Sequence, residues 1–95
     1  MKVDGAEVNY SRLPEHMRGA FQRWIDYGIE PGSFGMAVIC NDLFEAFGYA
    51  DQTNTACMKD IISFFYNDAP SQCYGSRTKA SAWMMARRSA TETDT

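Results

Sequence analysis

The side chains best suited to nucleophilic, acid–base or metal chemistry are the thiols of Cys40, Cys57 and Cys73 and the imidazole of His16. The thiols stand 17 and 16 residues apart, with no C-x-x-C pair. A Cys/His zinc site needs ligands paired at short spacing on two elements, and this pattern does not offer it. A hydrolytic triad needs a nucleophile, a base and an orienting group. His16 is the single imidazole that could be the base, and it sits beside Glu15 near the start of a helical stretch, as a surface histidine would. Cys73, between Gln72 and Tyr74, lies in loop-forming sequence, where reactive thiols occur. No neighbour in sequence would lower its pKa, so it reads as a small apolar plug under the loop. Cys40 and Cys57 fall on helix faces and read as core. Asp42 and Glu45, three apart, either face a cleft as an acid–base pair or form the solvated edge of their helix; the second reading is the simpler. Gly32, Gly35, Gly48 and Gly75 each stand near an expected helix end and form no phosphate-binding loop. The expectation is a protein that is not an enzyme and holds no metal or cofactor.

Composition narrows the class. The chain has 95 residues, 45% of them hydrophobic and 14% aromatic, enough for one real core and one domain. No apolar run approaches the ~20 residues of a membrane span. The N-terminal Met1-Lys2-Val3-Asp4-Gly5 lacks the basic-then-apolar pattern of a signal peptide. With an odd number of cysteines, this reads as a cytoplasmic protein with reduced thiols. The formal net charge of −3 hides a pattern. Residues 30 to 68 carry Glu30, Asp42, Glu45, Asp51, Asp60 and Asp68 against Lys59 alone, whereas residues 69 to 91 carry Arg77, Lys79, Arg87 and Arg88 and no acid. Either the basic helix lies against the acidic middle, or the molecule has two binding faces of opposite sign.

The elements that position these groups are helical. Residues 1 to 10 form an arm that packs through Val8 and Tyr10. Pro14 suits the first position of a helix on which Met17, Ala20, Phe21, Trp24 and Ile25 recur at spacings of three and four. Gly28 is a natural left-handed stop, with Ile29 folding back on Trp24 in a Schellman ending. Ser33 is placed to cap a second helix over Phe34 to about Phe47, apolar on nearly every side and therefore central in the bundle. Gly48 stops it. Asp51 caps a third helix from Gln52 to Asn67, with an apolar stripe of Cys57, Met58, Ile61, Ile62, Phe64, Phe65 and Tyr66. Residues 67 to 75 form the one substantial loop. Ser76 caps a last helix from Arg77 to about Arg88, with Ala80, Trp83 and Met84 inward. The expected fold is all-α: a compact four-helix bundle-like domain over 11–88, with a flexible, disordered tail over 89–95.

Two functions from different classes fit. A recognition helix presents Arg, Lys, Asn or Gln to nucleic acid. The last helix, with Arg77, Lys79, Arg87 and Arg88, is the better candidate for that, although a pI near 4.9 is far from the expected basic profile. The other is a protein–protein module. Tyr and Trp anchor interfaces, and Tyr49 at a helix end and Tyr74 in the loop are the aromatics expected at the surface.

The strings Pro31-Gly32-Ser33-Phe34, Asn41-Asp42-Leu43, Glu45-Ala46-Phe47-Gly48, Ala50-Asp51, Tyr66-Asn67-Asp68-Ala69-Pro70, Cys73, Gly75-Ser76 and Ala82-Trp83 resemble a family of small bacteriophage and prophage accessory proteins. The likeness spans residues 13 to 84. Tyr74 stands where the pattern has tryptophan, and no functional residue is carried over. The resemblance implies a phage-derived protein that acts in the bacterial host cytoplasm by binding a host or phage protein complex. Inhibition of CRISPR or another nucleic-acid-binding defence effector is one such role. An acidic surface that mimics nucleic acid could serve it, with Glu30, Asp42, Glu45, Asp51, Asp60 and Asp68 as its first residues, alongside Tyr49 and Tyr74. The protein would be a monomer or a homodimer.

Overall fold

The computed structural model describes residues 8–93, and among these every regular element is helical. The helices are α1 (Glu15–Tyr27), α2 (Ser33–Ile39), α3 (Leu43–Tyr49), α4 (Gln52–Ala56), α5 (Met58–Asn67) and α6 (Arg77–Thr93), with a 3₁₀ turn at Ser71–Cys73 before α6. The all-α reading therefore holds. The four expected helical stretches are helical, but the second and third are each interrupted, giving six helices in place of four.

The first interruption is a chain reversal written in local chemistry. Asn41 adopts φ 61°, in the left-handed region that asparagine tolerates better than most residues. The Asp42 N–H donates to the Ala37 carbonyl (2.9 Å) and the Asn41 N–H to the Val38 carbonyl (3.1 Å), the two bonds of a Schellman ending. Asp42 then opens α3, its side chain accepting from the Glu45 N–H at 3.1 Å. The second interruption is a single residue. Cys57 ends α4 with its N–H on the Thr53 and Asn54 carbonyls, and its own carbonyl accepts from Ile61 to start α5. α4 buries no side chain and α5 buries four, so the shift of axis turns the apolar stripe of α5 inward.

α1 is amphipathic as its spacing predicts and buries Met17, Phe21, Trp24 and Ile25. Pro14 sits one position outside the helix, as its N-cap. Gly28 is left-handed (φ 70°); its N–H returns to the Trp24 carbonyl at 2.9 Å and the Ile29 N–H to the Arg23 carbonyl at 3.4 Å, a two-bond ending one residue wider than the Schellman pattern expected. A Cβ on Gly28 would lie 3.0 Å from the Met84 carbonyl oxygen, so the glycine also lets α1 and α6 approach. Ile29 is exposed.

The core joins α1, α2 and α5 with Leu13, Cys73 and Ala80. Phe21 and Phe65 meet edge to face at 5.0 Å, as do Phe64 and Phe65 at 5.1 Å, and Tyr10 stacks on Phe64 at 5.5 Å. Val8 and Tyr10 thus pack as the arm reading expects, while residues 1–7 lie outside the described residues. Trp24 ties the loop to the core: its indole N–H donates to the Cys73 carbonyl at 3.0 Å, and its own carbonyl accepts from the Trp83 indole at 3.1 Å. The Gly75 N–H donates to the Ile39 carbonyl at 2.8 Å, fastening the loop to the end of α2. Ser76 and Asp51 cap α6 and α4 as expected, through the Lys79 N–H (3.1 Å) and the Asn54 N–H (2.7 Å). Ser33 is inside α2 and makes no side-chain cap. α6 continues to Thr93, so residues 89–93, expected to be disordered, extend the helix.

Candidate functional site

The position of α3 is the main departure from the sequence reading. An all-round apolar helix over 34–47 was expected at the centre of the bundle. Its first half, α2, is central, but after the reversal at Asn41 the second half lies on the surface and buries only Ala46. Leu43 is 62% exposed, Phe44 87%, Phe47 45% and Tyr49 56%. On α5, Ile62 and Tyr66, also expected in the inward stripe, face out as well. A shallow hollow of about 60 Å³ separates α2 and α3 from α5, floored by Ala37, Val38, Ala46 and Met58 and rimmed by Leu43 and Ile62. Sequence reasoning missed Leu43, Phe44, Phe47 and Ile62 as surface residues. The signal that could have found them is Asn41-Asp42 with Glu45 three residues on, a stop followed by a start inside an apolar run.

The acidic residues do not gather into one patch. The Arg77 Nη2 lies 3.3 Å from both Asp42 Oδ2 and Glu45 Oε1, and its Nη1 reaches Cys40 Sγ at 4.0 Å. The basic helix therefore lies against the acidic middle at this point. Asp68 is held by Arg12 (2.9 Å). Asp51 is spent on its cap, and Asp60 is exposed in the first turn of α5. Glu30 borders a second cleft of about 180 Å³, with Arg77 across it and Met36 and Met84 along its walls. Tyr49 is exposed beside Asp51, as expected, but Tyr74 is half-buried, tilted on Phe65 at 5.5 Å with Lys79 over its ring. Burial pushes its phenol up.

The cations of α6 are similarly engaged. Lys79 stands 5.8 Å from the Tyr74 ring centroid and Arg87 4.7 Å from that of Trp83. Arg88 is exposed. Cys73 is fully buried, its thiol pushed up to about 12 by burial. Burial also raises Cys40, with Arg77 opposing. Fully buried among apolar neighbours, Cys73 has the setting of a structural thiol. His16 lies on the exposed side of α1, its Nε2 2.7 Å from Asn54 Oδ1. Among the described residues, no three His, Cys, Asp or Glu side chains gather as a metal ion would need, and no helix is long and apolar enough to cross a membrane.

No family model matches the chain, and no curated protein or solved structure matches it.

Proposed function

We propose that this is a phage-derived, non-enzymatic binding protein that inhibits a host defence complex by protein–protein contact. The observation that supports contact through a surface is α3, which leaves Leu43, Phe44, Phe47 and Tyr49 in solvent. Large exposed apolar patches rimmed by polar residues mark interaction sites. Asp42 and Glu45 already share Arg77 and Asp68 is held by Arg12, so the acidic contribution narrows to Glu30, Asp60 and Asp51, the last also capping α4. The phage origin and the defence target rest on the resemblance carried by residues 13 to 84.

The alternative, a nucleic-acid-binding regulator using α6, draws less support. Arg77, Lys79 and Arg87 each have a partner within the fold, and although Arg77, Lys79 and Arg88 are exposed, Arg77 is shared with two carboxylates that would oppose a phosphate. The two readings separate in one experiment. The chain is expressed in a bacterial host that carries an active CRISPR system, and plating of a targeted phage is counted. Plating should recover with the wild-type chain and fall back with Tyr49→Ala combined with Asp60→Lys. Loss of rescue on Arg88→Glu, with the α3-face variant still active, would favour the nucleic-acid reading. No rescue against any defence system tested would sink the inhibitor reading.

A further inference from the structure

The α3 face presents a knob beside a hollow. Phe44 projects at 87% exposure from the same helix whose Leu43 rims the 60 Å³ hollow closed on its other side by Ile62 of α5. A surface that carries both halves of such a contact is self-complementary. A two-fold axis through it satisfies each knob with the hollow of the other copy and leaves nothing over to propagate a chain. We propose that the free protein is a closed, two-fold symmetric homodimer in which each copy seats Phe44 in the hollow between α2–α3 and α5 of the other.

The available area supports a second copy as the occupant. Leu43, Phe44, Phe47, Ile62 and Tyr66 are 45–87% exposed. The three aromatic side chains among them bury ~150–250 Å² each when fully covered, and with the two aliphatic ones the exposed part of the five is roughly 600 Å². With the surrounding polar rim they reach the ~800 Å² per partner of a standard interface. The hollow suits an apolar side chain, being far larger than the ~10–15 Å³ that one water needs yet lined mainly by carbon. Charge does not oppose the pairing. Asp42, which lines the hollow with Asn41, and the neighbouring Glu45 are already shared by Arg77, and Lys59 stands one turn before Ile62 on the exposed side of α5. Pairing covers the same α3 residues that the proposed function gives to a partner complex, so the dimer is the form of the free protein and opens when that partner binds.

The test is sedimentation equilibrium of the full chain from about 2 to about 200 μM, a range that spans micromolar affinity. The expected mass is twice the 10.7 kDa of one chain at the upper end. Phe44→Asp should weaken association ~100-fold or more, as loss of a central aromatic anchor does. Ile62→Lys should do the same from the other side of the contact. Both positions are exposed, so far-UV circular dichroism should not change. Met85→Lys, at an exposed apolar residue of α6, should leave the dimer intact. A chain that stays monomeric throughout the range overturns the proposal. So does a dimer indifferent to Phe44→Asp and Ile62→Lys, or growth beyond two copies, which a closed contact forbids.

Discussion

α1 and α3 are both rich in large apolar side chains, yet their fates are opposite. α1 spaces Met17, Phe21, Trp24 and Ile25 along one face and buries all four. α3 has Leu43, Phe44, Phe47 and Tyr49 around its circumference and buries only Ala46. Burial is driven by apolar area, but it needs a direction, and a one-sided stripe supplies one. A short helix apolar on several sides has no unique face to turn inward. Its position is then decided by the joints at its ends, here the left-handed Asn41 and the Asp42 cap.

The sharpest way to break this contrast is a pair of truncations. Trp24→Ala should cost ~3–5 kcal/mol, since it empties a fully buried site and strands the Cys73 carbonyl. Phe44→Ala should stay within ~0.5 kcal/mol despite a similar loss of carbon. Urea denaturation at low micromolar concentration measures both. Comparable losses would mean that α3 is packed in solution and that the contrast is false.

A second prediction concerns the loop under Trp24. The Cys73 thiol ionises at about 12 in the folded chain against an ordinary 9.0, so the unfolded chain releases its proton first. Stability from this site is full below pH 9 and is lost as pH rises from about 9 to about 12. Tyr10, raised by its own burial, acts in the same direction. Denaturation midpoints taken from neutral to alkaline pH should fall, and Cys73→Ala should flatten part of that slope. A slope unchanged in the variant would show that Cys73 is not held neutral.

The smallest effects should come from the fastenings of α3. Asp42→Ala removes a cap and one carboxylate of the Arg77 cluster and should cost ~1 kcal/mol. Arg77→Ala breaks two solvent-accessible ion pairs and a weak contact with Cys40 Sγ and should cost less than ~1 kcal/mol. If Arg77→Ala proves the more damaging, the ion pairs rather than the cap hold α3 in place.

Much of the molecule was legible in the chain because its signals are local. The spacing in α1, the left-handed Gly28, and the caps at Asp51 and Ser76 each depend on residues within about one turn of each other, and each appears as read. Cys73 as a plug was legible because no neighbour in sequence would lower its pKa, and in the fold burial outweighs the opposing pull of Lys79. Other assignments needed the whole fold. Asp42 and Glu45 meet Arg77 across more than thirty residues, which turned a candidate acidic face into an internal contact. Lys79 and Arg87 were drawn onto aromatic rings in the same way. The sequence by itself determined that the chain is helical and which face of α1 is buried, since apolar periodicity and capping act over a few residues. Only the tertiary structure decided that α2 goes in while α3 stays out. An apolar run without a polar side carries no direction, and the reversal at Asn41 leaves α3 packed chiefly on α2, with its other sides open.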